Sequence, residues 1–177
     1  MDDRSPEALE AALAALRRKE RSIAELTAWL ERRGYALDRV EAALENLIEA
    51  GELNDERFAR RYAADKRALR GWGSERIREA LASRGIPDPL IEAALEDDPA
   101  AAQVERASEL LVRRGRPLTG EADRARALGF LTRRGYDYEV AYQAIRLARS
   151  ARHLYDPGAT DGRAEDANYQ LFETFDP

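Results

Sequence analysis

An all-α fold, an elongated array of three tandem three-helix repeats, is predicted by three features of this 177-residue chain. Apolar residues recur every three to four positions, and no segment alternates apolar and polar side chains as a half-buried strand would. All seven prolines fall between predicted helices or in the C-terminal tail. An Arg-Gly pair closes a predicted helix at Arg33-Gly34, Arg84-Gly85 and Arg134-Gly135, and the residues around it keep register. Leu30, Leu81 and Leu131 precede the three glycines at one offset, Ala43, Ala94 and Ala144 follow at a second, and Leu44, Leu95 and Ile145 at a third. Three copies of one helix-glycine-helix unit explain this agreement.

In chain order, Ser5-Pro6 supplies an N-cap and a first-turn proline for a helix reaching about Lys19, with Leu9, Leu13 and Leu16 on one face. Ser22-Ile-Ala-Glu25 is a capping box for the second helix, whose seam is Ile23, Leu26 and Leu30 and whose stop is Gly34. A third helix carries Val40, Leu44, Leu47 and Ile48 and ends at Gly51. The fourth steps through Phe58, Tyr62, Asp65 and Leu69, and a Gly71-Trp72-Gly73 turn leads into a fifth, N-capped by Ser74, with Ile77 and Leu81 as its seam and Gly85 as its end. Asp88-Pro89 and Asp98-Pro99 each read as N-cap and first helical residue of the sixth and seventh helices, Thr119 as the cap of the eighth, and a ninth begins near Tyr138. The expected units are 6–53, 54–97 and 98–152, followed by a disordered acidic tail over 153–177 that ends in Tyr169, Leu171, Phe172 and Phe175. Gly34, Gly85 and Gly135 should each adopt positive φ, because each follows a finished seam and precedes a new start signal.

Charge is segregated. Residues 1–56 carry 8 basic and 14 acidic side chains and residues 153–177 carry 1 and 6, whereas 57–97 hold 9 against 7 and 98–152 hold 11 against 7, within a total of −5. A basic centre between acidic ends suits partial contact with a polyanion. The alternative is a set of solvated helix faces paired at i, i+4. In the fourth helix Arg57, Arg60, Arg61 and Arg67 gather opposite Phe58 and Tyr62, and Arg70, Trp72 and Arg76 continue the basic stretch toward the fifth. These seven residues are the candidate partner-binding set, with Gly34, Gly51, Gly85, Gly135, Phe58, Tyr62 and Leu81 as the structural set. Trp72, flanked by glycines, either stacks on a partner or plugs the joint between two helices, while Trp29, beside Leu26 and Leu30, reads as packing.

No chemistry of catalysis emerges. There is no cysteine, and the single histidine, His153, has no second ligand type to complete a metal site. Gly71-Trp72-Gly73 has neither a preceding strand nor the third glycine of a nucleotide loop. No cofactor or metal is expected. The chain shows no signal peptide and no apolar run of membrane-spanning length, which predicts a cytoplasmic protein without membrane contact.

These residues resemble the RecX family, bacterial regulators of the RecA recombinase. The likeness is carried by Leu47 to Ala59, LIEAGELNDERFA, then by Tyr62, Arg67, Gly71, Gly73, Arg76-Ile77 and Leu81 through Ile86, and in the third repeat by Phe130-Leu131 and Arg133 through Tyr136. It covers about residues 8–150. Asn54 stands where the family more often has Asp, which preserves N-capping. The resemblance implies a non-enzymatic, monomeric protein that lodges in the groove of a RecA filament on single-stranded DNA and damps ATP hydrolysis, strand exchange and co-protease action. From other classes, a general helical DNA-binding protein and a protein adaptor without nucleic-acid contact remain open.

Overall fold

A computed structural model describes the backbone of residues 5–155 and the side chains of 7–151. Among these residues there are nine helices and no strand: α1 Ser5–Arg18, α2 Ile23–Glu31, α3 Leu37–Glu49, α4 Asp55–Arg70, α5 Ser74–Ala82, α6 Asp88–Glu96, α7 Ala100–Arg114, α8 Glu121–Thr132 and α9 Tyr138–Tyr155. The tail from 156 and the side chain of His153 lie outside the described residues.

Three separate cores follow the repeat. Leu26, Leu30, Val40 and Leu47 close the first bundle with Ala12 and Ala15 of α1. Phe58, Ile77, Leu81, Ile86 and Ile91 fill the second, with Tyr62 packed against its edge. Leu111, Leu131, Tyr136, Val140 and Ile145 fill the third. Small residues at the register position noted above, Ala43, Ala94 and Ala144, are all buried, so the third helix of each bundle sits close to its neighbours. Each core is thin, as expected when every helix contributes only one apolar stripe.

Gly34, Gly85 and Gly135 have the expected positive φ (+83°, +74° and +85°), and Gly51 shares it at +70°. Several predicted caps are displaced by one residue. The N-cap of α5 is Gly73, and Ser74 is already helical with a buried hydroxyl that has no partner among the described residues. Pro87 and Pro99 hold the N-cap positions predicted for Asp88 and Asp98, and Gly120 holds that predicted for Thr119. Asn54 caps α4 as read, its side chain accepting from Arg57 N–H at 2.8 Å. Leu69 was expected to pack but is 78% exposed. The last turn of α4 points Arg67 inward, donating to Ala94 O of α6, and Leu69 lies about 200° further round the axis, on the outer side.

The bundles are joined by one device used twice. The glycine loop of a bundle sits on the N-terminus of the second helix of the bundle before it. At the first joint Ser22 Oγ donates to the Arg84 carbonyl at 2.6 Å, the Arg84 guanidinium pairs with Glu25, and a Cβ on Gly85 would fall 2.5 Å from Ala24 Cβ. At the second, Gly73 N–H donates to Arg134 O at 2.8 Å, Glu75 N–H to Gly135 O at 3.0 Å, and a Cβ on Gly135 would lie 2.3 Å from Arg76 N. Helix N-termini present unpaired N–H groups; at the second joint the loop carbonyls satisfy them, whereas at the first the loop carbonyl takes the Ser22 hydroxyl and side chains take the N–H groups. The Gly34 loop has nothing within 4 Å of its Cβ position among the described residues, and α8 has 12 residues where α2 and α5 have 9, its first turn closed by Asp123 reaching back to Gly120 N–H at 3.3 Å.

Asp55 adds a further tie to the first joint, its carboxylate accepting from Ile23 N–H at 2.9 Å while 8% exposed. Burial pushes its pKa above the ordinary carboxylate value, against the pull of that hydrogen bond and with a further push from Glu25. A carboxyl whose folded pKa is raised loses stabilisation as pH rises from its unfolded pKa through its folded one. Asp55→Asn keeps an oxygen acceptor for Ile23 and removes the buried charge. The variant is therefore expected to unfold at a higher temperature than the parent at neutral pH, with the difference shrinking as pH is lowered through the carboxylate range. Thermal melts across that range check it, and a pH-independent difference contradicts it.

Candidate partner-binding surface

The predicted cationic stripe divides once its partners are located. Arg57 binds back on its own turn, donating from Nη2 to Gly51 O at 2.8 Å and Glu52 O at 3.3 Å. Arg60 pairs with Glu56 at 3.4 Å and Asp97 at 3.3 Å, and Arg61 with Glu20 at 3.0 Å. All three are exposed, and such surface pairs are worth about 0–1 kcal/mol each.

Arg67 does not belong to the surface. Its side chain is 13% exposed, donates to Ala94 O at 3.0 Å, and places Nε 3.2 Å from Asp98 Oδ2 without a well-aligned hydrogen bond there. Asp98, read from sequence as a helix cap, is instead a buried anion 3% exposed at its side chain, held bidentately by Arg106 at 3.0 and 2.7 Å. Arg106 Nε donates to Tyr136 Oη, and Tyr136 Oη donates to Gly71 O, both at 3.2 Å. The chain Arg67–Asp98–Arg106–Tyr136–Gly71 thus stitches the second bundle to the third through a desolvated interior. Burial lowers the Arg67 pKa, against the pull of Asp98; burial alone would also lower Arg106, but the bonds to Asp98 and Tyr136 raise it overall; burial raises the Tyr136 hydroxyl. The helical wheel of α4 places Arg67 beside the other arginines, but the wheel does not contain Asp98, which arrives from the next repeat.

The remaining candidates meet at that second joint. Arg70 is exposed, its guanidinium has no partner among the described residues, and its carbonyl accepts from Arg134 Nη1 at 2.7 Å. Arg76 donates to Arg133 O at 3.0 Å and lies over the Trp72 ring at 4.4 Å from its centroid, while Lys66 approaches the same ring at 5.3 Å. Trp72 is half-buried against the second core, so of its two readings the packing one describes its body. Its ring nevertheless organises two cations.

Sequence reasoning missed the third repeat's share. Arg114 and Arg134 both lie over Phe130, at 4.2 and 4.7 Å from the ring centroid. Beside them an open cleft of about 880 Å³ between α7 and α8 is lined by Arg114, Arg116, Arg126 and Arg133 over a floor that includes Leu111 and Leu118. The signal was present in the repeat register. The arginine before each repeat glycine lies over an aromatic ring: Arg33 over Trp29 at 4.1 Å, Arg84 over Tyr62 at 5.0 Å, Arg134 over Phe130.

Together these features define a helical-repeat scaffold with a cluster of arginines at its second joint. Among the described residues no group of acidic and histidine side chains could hold a metal ion, and no helix is long and apolar enough to cross a membrane. Comparison with known proteins gives the family. Residues 54–95 match the second three-helix domain of RecX. The chain is 40% identical over 149 residues to a regulatory protein RecX of Thermus thermophilus, spanning 84% of this chain and 97% of that one. It is 32% identical over 149 residues to that of Mycolicibacterium smegmatis, spanning 80% and 79%. A crystal structure of RecX from Lactobacillus salivarius superposes with a TM-score of 0.77 over 85% of this chain and 99% of that one at 21% identity, which speaks to the fold. The chain belongs to the RecX family of regulatory proteins.

Proposed function

We propose that the protein binds the RecA recombinase as a filament on single-stranded DNA and modulates it, mainly by inhibition of ATP hydrolysis, strand exchange and co-protease action. On this reading it is a cytoplasmic monomer that acts by occupying space, its three bundles 6–53, 54–97 and 98–152 serving as successive contact units. The observation that supports it, beyond family membership, is the cationic seam of Arg70, Arg76, Arg114 and Arg134 at the second joint. A polyanion and acidic filament side chains are both met by such a seam.

The test is RecA ATPase activity on single-stranded DNA with the parent protein and with an Arg70→Glu, Arg76→Glu variant. The variant should keep the far-ultraviolet helical signal and inhibit much less, because attraction becomes repulsion. Added salt should weaken the parent in the same direction, since phosphate contacts release counterions. Parent protein that leaves RecA unaffected at every ratio tested overturns the proposal. A folded variant that inhibits as the parent does removes the seam from it.

A further inference from the structure

Beyond the seam, α9 presents a second surface. Tyr138 and Tyr142 are 65% and 51% exposed, whereas every other aromatic side chain among the described residues is buried or half-buried. Four residues apart, they share a face of α9 and are separated by about 6 Å along the axis. Arg146 and Arg149 continue the same line, neither with a side-chain hydrogen bond or ion pair among the described residues. The acid on the helix, Glu139, borders the line one turn before Tyr142, about 60° from it round the axis, and accepts from Gln143 at 2.7 Å. Ala141, Ala144, Ile145 and Ala148 form the face the bundle buries, which borders the tyrosine line on one side, Ile145 lying about 20° from Tyr138 round the axis. Nothing in the core therefore requires two tyrosines here. Rings left in water at one helical turn's spacing, followed by the exposed Arg146 and the half-buried Arg149, match a ligand with flat apolar faces strung on a polyanion.

We infer that the Tyr138–Tyr142–Arg146–Arg149 line of α9 is a direct binding platform for single-stranded nucleic acid, two bases stacking on the tyrosines and the phosphates following them meeting the arginines. This deepens the proposed function, resting on its single-stranded DNA, by giving the chain a contact of its own with that strand that does not pass through RecA. Stacking is tolerant of sequence because every base has a π-face, so the platform reads strandedness and not base identity.

The experiment is a titration of a fluorescently labelled oligothymidylate, without RecA, by full-length parent, Tyr138→Ala/Tyr142→Ala, Tyr138→Phe/Tyr142→Phe and Arg146→Glu/Arg149→Glu proteins, each checked for helical signal. The alanine variant should lose about tenfold in affinity for each ring removed. The phenylalanine variant should bind as the parent does, because the ring face is kept. The glutamate variant should bind more weakly and with a shallower salt dependence, reduced by about 0.7 in slope for each phosphate that is no longer neutralised. Parent-like binding by the alanine variant, or no binding by the parent at low salt, overturns the platform. RecA inhibition measured on the same variants separates the two readings. Inhibition retained by the parent while its DNA titration fails leaves the regulator and removes the platform. Inhibition abolished in the alanine variant with its DNA affinity unchanged makes this face a protein-docking surface and likewise removes the platform.

Discussion

Replacing Asp98 with alanine is expected to destabilise the protein by about 3–5 kcal/mol, the cost of leaving buried guanidinium groups without their counter-charge. Asp98 is the shared partner of Arg67 and Arg106, whose side chains are only 13% and 19% exposed. Neither can regain bulk hydration without opening the joint. A loss of that size lowers the unfolding midpoint by roughly 6–20 °C in a chain this long, read directly from a thermal melt. Arg60→Ala is the contrast: it removes an exposed pair with Glu56 and Asp97 and should cost no more than about 1 kcal/mol. Arg67→Met in the Asp98→Ala background should recover part of the loss by removing one stranded charge. If Asp98→Ala melts with the parent, the network is wetter than the burial of its members implies.

Gly73→Ala should produce the largest change in how the bundles are coupled while leaving each one folded. Its φ of −83° is open to any residue, so alanine introduces no backbone strain of its own. The added Cβ would instead stand 2.4 Å from the Gly135 carbonyl oxygen and 2.5 Å from Tyr136 N. Backbone cannot swing aside as a side chain does. The joint must open, and the bonds from Gly73 and Glu75 N–H to Arg134 and Gly135 O go with it, each worth about 0.5–1.5 kcal/mol net. Hydrogen exchange at the Glu75 amide should accelerate sharply while amides inside α2 and α3 stay as protected as in the parent. Under the proposed function, RecA inhibition should fall as well, because the seam spans this joint. Unchanged protection at Glu75 would mean the joint is looser than its 3.0 Å bond suggests.

The repeat was legible in the sequence because its marks are local: a positive-φ glycine after an apolar seam, in the same register at Gly34, Gly85 and Gly135. The joints were not, since their donors and acceptors are backbone groups, which every residue carries alike. Gly73 illustrates the difference. A serine next to it looked like the better cap, yet the position is glycine because another loop rests on it. Arg67 and Asp98 failed for a related reason: each was assigned by its own helix, surface charge in one case and cap in the other, and only tertiary structure sets them 3.2 Å apart. Tyr62, Phe58 and Leu81 packed as read, being governed by the periodicity of their own bundle.

The two ends of the array differ in what they leave unfilled. The Gly34 loop is a plug without a seat, since no described atom approaches its Cβ position. The N-terminus that α8 offers at the far end is reshaped, because α8 carries three more residues than α2 or α5. Head-to-tail growth of a chain of subunits needs two matching halves of one heterologous contact, and here the α8 half differs in length from the seats on α2 and α5. Growth of a fibre by repeating the internal joint would require the first turn of α8 to move. By the same logic a fourth unit, added by gene duplication or by design, would graft ahead of the first bundle, where α2-like residues could receive the Gly34 loop, and would fail behind the third unless the first turn of α8 were trimmed away.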